Sequence, residues 1–452
     1  MPKTISPIDG KVLQTYEYIS DEQLKQKIDL AQQAFESWHQ TSLQQRKELF
    51  LKLAQLMMEQ QQELAKLNTL EMGMVFKTAL GDVKKSAQGT IYFAEHAQER
   101  LKPIEFDEGG LRWKRVFEPL GIIYTISPWN YPYNQVLRNA VPNILAGNVV
   151  LSKHASNVPQ VANKIEELFL QAGFPKWVYQ NLQISASKSE MILADFRVRW
   201  TNITWWDKAG RVIGSLAGKY IKPSILELGG SDPFLVLEVA DWDEVIKLAI
   251  KWRFSNAGQK CNSSKRFIVL ERYYDEFVDR FAQAIKALKV GNPFDDVDIG
   301  PLAKLDLVEQ LEAMVKDAVA KWARLLVGGQ RLDREGFYFA PTLLADVVPW
   351  MQVFDEETFG PVAPVIKARD IEEAIQLANN SRYGLASTVV SQSKEIFDQV
   401  ASQLQTGNVF WNQIPTSYPF LPYGGIKDSG YGKELGERWM KNFTNEKIMV
   451  EG

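Results

Sequence analysis

The sequence predicts an α/β protein in which parallel sheets carry helices on both faces. Between residues 121 and 230, five short apolar or β-branched runs alternate with helical segments, as they do in such a sheet. A second alternating series follows Pro233 and predicts a second α/β domain. The chain has 452 residues, too many for one compact core, so two or three domains are expected.

The first hundred residues predict helices, which a ribbon follows. Apolar positions recur at helical spacing over Asp21–Trp38 and residues 44–70, and another helix is expected over residues 81–99. Residues 104–118 combine a Gly109-Gly110 turn with alternating side chains, which predicts a two-stranded ribbon projecting from the body. Because such a ribbon is marginal alone, we expect it to pair with another element, for example in another subunit.

The strands of the two sheets are read from the apolar runs. The first sheet is expected to contain residues 121–127, 148–153, 178–184, 198–204 and 225–230. Helices are expected between them at about residues 134–145, 159–172 and 208–217. The second series includes strands at residues 267–270, 325–327 and 389–390. Parallel sheets bind ligands at the carboxyl ends of their strands, which is where the motifs described below lie.

Composition excludes several classes of function. The net charge is −3, from 52 Lys+Arg against 55 Asp+Glu, without a long run of one sign, which argues against nucleic-acid or membrane-surface binding. Neither a long apolar span nor a signal peptide is evident, so a cytoplasmic location is the expected default. The single cysteine excludes an internal disulfide, and three scattered histidines do not suggest a metal cluster.

Cys261 is the candidate nucleophile. It ends the segment Asn256-Ala257-Gly258-Gln259-Lys260-Cys261, after a predicted helix over residues 241–254. A thiolate is a strong nucleophile, but a free thiol is mostly protonated near neutral pH, and the adjacent Lys260 or a helix terminus would lower its pKa. The alternative is that this lone cysteine is a small buried apolar residue, although a Gly-Gln loop is a poor place for one.

Glu227 and Asn130 are candidates for the base and the oxyanion donor. Glu227 is one carboxylate in an apolar run before two glycines, where its pKa would be raised enough for general base work, unless it is a surface residue on an edge strand. Asn130 follows a predicted strand in a loop stiffened by two prolines and two aromatics, which suits an amide that donates to an oxyanion. The alternative for Asn130 is a simple Asx turn.

The order and spacing of these motifs resemble the aldehyde dehydrogenase superfamily, over the chain from Pro7 to Val450. Cys261 lies 34 residues after Glu227. The segment Lys153-His154-Ala155-Ser156-Asn157 looks like the bacterial succinate-semialdehyde dehydrogenase branch. The matching motifs are Pro128-Trp129-Asn130-Tyr131-Pro132, Glu227-Leu228-Gly229-Gly230, Gly258-Gln259-Lys260-Cys261, Glu356-Glu357-Thr358-Phe359-Gly360-Pro361 and Pro422-Tyr423-Gly424-Gly425-Ile426-Lys427-Asp428-Ser429-Gly430.

The resemblance implies an NAD- or NADP-dependent enzyme that oxidises an aldehyde to a carboxylic acid. Cys261 attacks the aldehyde, Asn130 and the Cys261 N–H stabilise the oxyanion, and Glu227 activates the water that hydrolyses the thioester. Glu357, with Phe359 beside it, would hold the nicotinamide ribose. Other implied cofactor residues are Ile126, Trp129, Lys153 and Ser156, and the implied substrate-binding residues are Arg138 and Ser417. Ser156 stands where the family has a glutamate that binds ribose, so NADP should be tolerated.

The resemblance also implies an aldehyde dehydrogenase-like domain organisation. A Rossmann-type dinucleotide-binding domain would comprise residues 1–103 and 122–228, and the catalytic domain residues 229–436. Residues 104–121 and 437–452 would form the oligomerisation segments of a homodimer or homotetramer. Arg138 would bind the far carboxylate of the substrate as a bidentate donor, or it is a helix-surface arginine in a salt bridge.

Two departures from the family pattern qualify these expectations. Trp205 and Trp206 replace a Gly-Ser that meets the cofactor pyrophosphate, so we expect weakened or altered dinucleotide binding unless both indoles fold onto the surface. Tyr418 and Phe420 replace an acid and an arginine near the substrate tunnel, which favours a larger or more apolar aldehyde than a short dicarboxylic semialdehyde.

Three functions therefore compete at the level of sequence. The first is a working NAD(P)-dependent aldehyde dehydrogenase. The second is a thiol esterase that keeps Cys261, Glu227 and Asn130 but has lost productive cofactor binding. The third is a non-catalytic homologue, which the retention of all three residues disfavours.

Overall fold

The amino-terminal part of the chain is helical, as the apolar spacing predicts. The computed structural model describes residues 2–451. A hairpin of β1 (Lys3–Ile5) and β2 (Val12–Thr15) comes first. The helices that follow are α1 (Asp21–Trp38), α2 (Leu43–Glu59), α3 (Gln61–Met72) and α4 (Phe76–Leu101). The expected helix over residues 44–70 is therefore wrong as a single element, because Gln60 leaves helical geometry between α2 and α3.

The elements of the first sheet alternate as predicted. Before it come β3 (Ile104–Glu108) and β4 (Leu111–Pro119). The sheet region contains β5 (Ile122–Ser127), α5 (Pro132–Leu145), β6 (Val149–His154), α6 (Pro159–Ala172), β7 (Tyr179–Asn181), α7 (Ser189–Ala194), β8 (Val198–Thr204), α8 (Asp207–Lys219) and β9 (Ser224–Glu227). The run over residues 178–184 is only partly a strand, since β7 ends at Asn181.

The second series is longer and carries the carboxyl-terminal strands. It contains β10 (Asp232–Val236), α9 (Trp242–Phe254), β11 (Ser264–Leu270), α10 (Glu271–Lys286), α11 (Leu305–Ala320), β12 (Arg324–Val327), β13 (Thr342–Ala345), α12 (Gln352–Asp355), β14 (Val362–Ala368), α13 (Ile371–Asn379), β15 (Tyr383–Gly384), β16 (Ala386–Val390), α14 (Lys394–Ala401), β17 (Asn408–Trp411), β18 (Ile426–Lys427), β19 (Gly430–Tyr431) and β20 (Thr444–Glu451).

Two mainly parallel sheets form the core of the molecule. The first has the strand order β19-β9-β8-β5-β6-β7, and β19 is its one antiparallel member. The second has the order β12-β13-β14-β11-β10-β16-β17, with an antiparallel β12 at the edge. The central strands β5, β6, β11 and β16 are buried along their whole length, because helices cover both faces of these sheets. The predicted α/β fold class is confirmed.

The predicted ribbon is confirmed, and its partner belongs to the same chain. β3 pairs antiparallel with β4, and β4 pairs on its other side with β20, from Thr444 opposite Pro119 to Glu451 opposite Arg112. Since β3 and β20 pair with the two edges of β4 within the chain, β4 does not require a strand from another subunit. Ile448, Met449 and Val450 on β20 are exposed.

The predicted domain boundaries remain predictions. Their first and last residues, 1 and 452, lie outside the described residues. Within residues 2–451, none of the helices combines the length and apolar character needed to cross a membrane.

Candidate active site

Cys261 lies in a tight loop between α9 and β11. A short turn at Ser255–Gly258 leads into the loop, and Asn256, Ala257 and Gly258 all have positive φ. Glycine is required at position 258, because a Cβ there would lie 2.3 Å from the carbonyl oxygen of Gly360. The half-buried thiol lines two cavities, a narrow one and a wider one, so that it can be approached from two sides.

Asn130 is tied to the cysteine loop. Its Nδ2 donates to the carbonyl of Gln259 at 3.0 Å, and Nδ2 of Asn256 donates to the carbonyl of Asn130 at 3.0 Å. One amide hydrogen of Asn130 remains for another acceptor, since a primary amide carries two. Asn130 and Cys261 line both cavities. The structure thus brings together the predicted nucleophile and oxyanion donor, and the simple Asx turn does not describe Asn130.

The surroundings of Cys261 favour the neutral thiol. Burial raises its pKa to about 12, while the charge of Lys265 acts in the opposite direction. Lys265 donates to the carbonyl of Cys261 and is completely buried. The prediction that Lys260 activates the thiol stays a prediction: its ammonium lies 2.5 Å from the Ser255 hydroxyl and 4.2 Å from the Trp252 ring centroid, and burial lowers its pKa while the charge of Cys261 raises it.

Glu227 ends β9 and is only 4% exposed. The alternative of a surface residue on an edge strand is wrong, because β9 lies between β19 and β8. Burial, and then the charge of Glu434, raise the pKa of Glu227 well above its usual range, while Arg138 opposes them. The Glu227 carboxylate faces the backbone of Gly424, and its side chain does not line either cavity of the thiol.

Arg138 forms a salt bridge with another buried side chain. Its guanidinium pairs with the carboxylate of Glu434, and both residues are nearly inaccessible to water. Burial alone would lower the pKa of Arg138, but Glu434 and Glu227 raise it. Arg138 therefore forms a salt bridge, as the alternative predicted, but it is buried and does not lie on the helix surface. Arg138 still lines the wider cavity, although its charge is compensated within the protein.

The wider cavity continues into a tunnel. The cavity at the thiol has a volume of about 300 Å³, and a neighbouring cavity of about 500 Å³ shares the residues Lys85, Asn134, Arg138 and Ser417 with it. Ser417 accepts a hydrogen bond from Lys85 at 3.2 Å. Tyr418 and Phe420 stack on each other in the wall of the outer cavity, as their predicted place near the substrate tunnel requires.

The narrow cavity lies on the other side of Cys261 and has a volume of only about 30 Å³. Trp205 and Trp206 form one wall, and Glu357 and Phe359 form another. The alternative that both indoles fold away onto the surface is wrong, because they are half-buried against this cavity. The indoles therefore border the cleft on this side of Cys261, where Leu228 also lines a neighbouring cavity of about 370 Å³.

Other predicted cofactor residues have the right location for a dinucleotide. Ile126 and Lys153 lie opposite each other at the carboxyl ends of β5 and β6. Burial lowers the pKa of the Lys153 ammonium, which has only a distant contact to the carbonyl of His154. Ser156 is exposed, with its carbonyl bonded to the Tyr16 hydroxyl. Trp129 packs edge-on against Phe359 at 5.6 Å between ring centroids. Lys153, whose ammonium has no close acceptor among the described residues 2–451, remains the predicted residue for the adenosine ribose.

Three charged residues of the site were not found from the sequence. Lys265 offered a usable signal, because a lysine inside the buried strand β11 must have a partner. Lys85 lies next to Lys84 in the helix α4, and nothing in the sequence indicates which of the two lysines reaches the cavity. Glu434 became apparent only through its pairing with Arg138, 296 residues earlier in the chain.

The fold and this arrangement define an α/β protein of two mainly parallel sheets in which the predicted nucleophile, Cys261, lies between two cavities. The sequence profile of the Aldehyde dehydrogenase family matches residues 2–449. The chain belongs to the aldehyde dehydrogenase family. The predicted resemblance and the predicted class of enzyme, one that oxidises an aldehyde to the acid, are thereby confirmed.

Individual relatives agree with this assignment. A succinate-semialdehyde dehydrogenase [NADP(+)] of Deinococcus radiodurans is 39% identical over 447 residues, which are 99% of this chain and 94% of that protein. One of the same description from Mycobacterium avium is 40% identical, covering 99% of this chain and 96% of its own. The crystal structure of a succinic semialdehyde dehydrogenase from Streptococcus pyogenes with NADP+ superimposes with a TM-score of 0.97 at 35% identity, covering 99% of both chains.

Proposed function

We propose that this protein oxidises succinate semialdehyde or a similar carboxylate-bearing aldehyde to the acid, with NADP as the preferred hydride acceptor. The observation that carries the proposal is the position of Cys261, whose thiol lies between a substrate tunnel lined by cationic side chains and a cleft at the carboxyl ends of the first sheet. The names of the relatives supply the substrate and the cofactor.

Cys261 and Asn130 carry out the first half of the reaction. The Cys261 thiolate attacks the aldehyde carbon, and the carbonyl oxygen gains the negative charge of a thiohemiacetal. The free amide hydrogen of Asn130 and the N–H of Cys261 donate to that oxygen. Because Asn130 is fixed to the cysteine loop through Gln259 and Asn256, little reorganisation is required when the charge develops.

Residues at the carboxyl ends of β5 and β6 and in the segment between α12 and β14 would hold the cofactor. NADP, when bound, accepts the hydride that leaves the aldehyde carbon. Lys153 and Ser156 hold the adenosine ribose, and the small neutral Ser156 leaves room for a 2′-phosphate. Glu357 and Phe359 would hold the nicotinamide ribose, and Ile126 and Trp129 would also contact the cofactor. Trp205 and Trp206 line the cleft at the nicotinamide end.

Glu227 serves the second half, in which a thioester on Cys261 is hydrolysed. Burial raises the pKa of its carboxylate, which makes it a stronger base toward a water molecule. The side chain must rotate from its position against Gly424 toward the thiol, because it does not line the cavity at Cys261. Arg138 and Ser417 are the predicted substrate-binding residues, and both line that cavity.

The protein acts in the cytoplasm as a homodimer or homotetramer in this proposal. The exposed apolar residues of β20 and Leu111 of β4 supply an interface on the three-stranded sheet. Ile448→Glu is expected to shift the sedimentation coefficient toward that of a monomer.

Absorbance of NADPH and NADH tests the proposed reaction. Succinate semialdehyde is offered with each dinucleotide to the wild type and to Cys261→Ala, and the wild type alone should reduce the cofactor, faster with NADP. Hydrolysis of a nitrophenyl ester without any aldehyde oxidation would instead support the cofactor-impaired thiol esterase. Absence of both reactions would support the non-catalytic homologue.

A further inference from the structure

Two lysines line the wider cavity without an acidic partner. The side chains of Lys85 and Lys260 both border the 300 Å³ cavity that contains the Cys261 thiol. Within residues 2–451, no carboxylate oxygen lies within 4.0 Å of either ammonium nitrogen. Uncompensated cations in a concave site focus an electrostatic field that attracts anions. Asp82 borders the same cavity, but its carboxylate accepts from two backbone N–H groups, so the two ammonium groups are left to attract an anion.

Lys85 reaches the cavity from α4. Its ammonium donates to the Ser417 hydroxyl, and Ser417 borders both parts of the tunnel. Lys85 is partly open to solvent, but the protein atoms around its ammonium and the charge of Arg138 lower its pKa to about 8, while Asp82 raises it. Asp82 is a poor counterion, because its carboxylate accepts from the backbone N–H groups of Tyr133 and Asn134 at the start of α5.

Lys260 reaches the cavity from the cysteine loop. Its ammonium lies over the Trp252 ring and contacts the Ser255 hydroxyl, neither of which is charged. Burial, followed by repulsion from Lys85 and Lys251, lowers the pKa of Lys260 to about 7. Lys85 and Lys260 border the same cavity and contact different hydroxyl groups, those of Ser417 and Ser255. An anion bound between them would stabilise both charges.

Arg138 is the third cation of this cavity and is already neutralised. Its partner Glu434 is buried and accepts the guanidinium. A substrate carboxylate would have to compete with a carboxylate fixed in the protein, and displacing Glu434 would leave it buried and unpaired. Lys85 and Lys260 carry no such cost, so they are the better donors for an incoming anion.

We propose that Lys85 and Lys260, together with the Ser417 hydroxyl, bind the carboxylate of the aldehyde substrate in place of Arg138. Ammonium and hydroxyl hydrogens donate to the carboxylate oxygens at the tunnel side of the cavity. The aldehyde end of the same short substrate then faces Cys261, which is adjacent to Lys260 in the chain. This inference rests on the proposed function, because it assumes an aldehyde that carries a carboxylate.

Steady-state kinetics with a matched pair of substrates tests the two lysines. Succinate semialdehyde and its methyl ester have the same reacting end and differ in the charge at the other. For Lys85→Met and Lys260→Met, the ratio of kcat/KM for the acid over the ester should fall about 10- to 100-fold each, the range for a hydrogen bond to a charged group. Lys84→Met, on the same helix but outside the cavity, is the matched control, and Lys85→Arg should restore part of the ratio.

Calorimetric titration with succinate separates this inference from the proposed function, since it needs no turnover. We call the carboxylate-binding group of Lys85, Lys260 and Ser417 the lysine site. If the double variant Lys85→Met/Lys260→Met loses succinate binding and Lys84→Met keeps it, the lysine site is supported, even when the wild type oxidises only neutral aldehydes. If the wild type prefers the acid and the double variant keeps the same ratio and succinate affinity, the lysine site is overturned and the proposed function stands. A wild type that binds no succinate overturns the lysine site directly.

Discussion

Nζ of Lys265 lies 2.8 Å from Oε1 of Glu357, and the same ammonium donates to the carbonyl of Cys261. Glu357 also accepts from the N–H of Gly230 at 3.2 Å. A side chain at Gly229 would occupy the space of this carboxylate, since a Cβ there would lie 2.5 Å from Oε2. Lys265 thus connects Glu357, the predicted ribose-binding residue, to the cysteine loop. We therefore expect a substitution at Glu357 or in the loop to affect the other.

Lys265→Met is expected to lower the free energy of unfolding by about 3–5 kcal/mol, because it leaves Glu357 almost buried without its partner. It should also raise the thiol pKa further, since Lys265 is the main cation that opposes burial at Cys261. Denaturant unfolding measures the first effect and iodoacetamide kinetics the second. Lys367→Met removes an exposed lysine as the control. Unchanged stability would mean that the pair is not formed in solution.

Alkylation of Cys261 should accelerate with pH. Because burial raises the thiol pKa to about 12, the thiolate is a minor species at neutral pH, and its fraction grows roughly tenfold per pH unit below that pKa. The iodoacetamide rate should therefore climb steadily between about pH 7 and 10 in the protein without cofactor. The chain has one cysteine, so Cys261→Ala supplies a blank. A plateau reached near pH 8 would contradict the raised pKa.

The indoles beside the narrow cleft should weaken cofactor binding. Trp205→Gly/Trp206→Ser is expected to tighten NADP binding by about 10- to 100-fold, the range that corresponds to relief of overpacking. Titration monitored by fluorescence or calorimetry measures the affinity. Trp322→Gly is a suitable control, because this indole is 89% exposed and lies outside the cleft. Equal affinities in the wild type and the double variant would contradict a barrier formed by the indoles.

Arg138→Met should act on stability more than on substrate choice. Removal of the guanidinium leaves Glu434 buried and uncompensated, which is expected to cost about 3–5 kcal/mol in the free energy of unfolding. The double variant Arg138→Met/Glu434→Gln should recover much of that loss, because the buried charge is gone. Denaturant titration of the single and double variants measures both. If Arg138→Met is as stable as the wild type and only its KM for succinate semialdehyde is higher, Arg138 binds the substrate carboxylate.

Binding of an anionic substrate should weaken as pH rises. The ammonium groups of Lys85 and Lys260 have lowered pKa values of about 8 and about 7, so both charges are present in mildly acidic solution and are lost as the pH passes through this range. Arg138, Asp82, Lys251 and Cys261 are the other charged or titratable groups that act on them. KM for succinate semialdehyde should therefore rise above about pH 8, while KM for the methyl ester stays flat. If KM for the acid and KM for the methyl ester change with pH in the same way, the two lysines do not bind the carboxylate.

The secondary structure and the catalytic candidates could be predicted from the sequence because they depend on local patterns. Helix α1 begins and ends where its apolar spacing indicates, and β5 and β8 agree with their apolar runs to within a residue. Cys261 and Asn130 follow a helix and a strand at positions where α/β proteins place ligands, and the structure brings them together.

The partners of the charged side chains were decided by the tertiary structure. Arg138 pairs with Glu434, Lys265 pairs with Glu357 and donates to the carbonyl of Cys261, and the ribbon pairs with a strand more than 300 residues later. The sequence determined which residues could do the chemistry and in which elements they lie. Packing of distant segments determined the burial of each charge and its partner, because the energy of a charge depends on the atoms around it and no local pattern contains them.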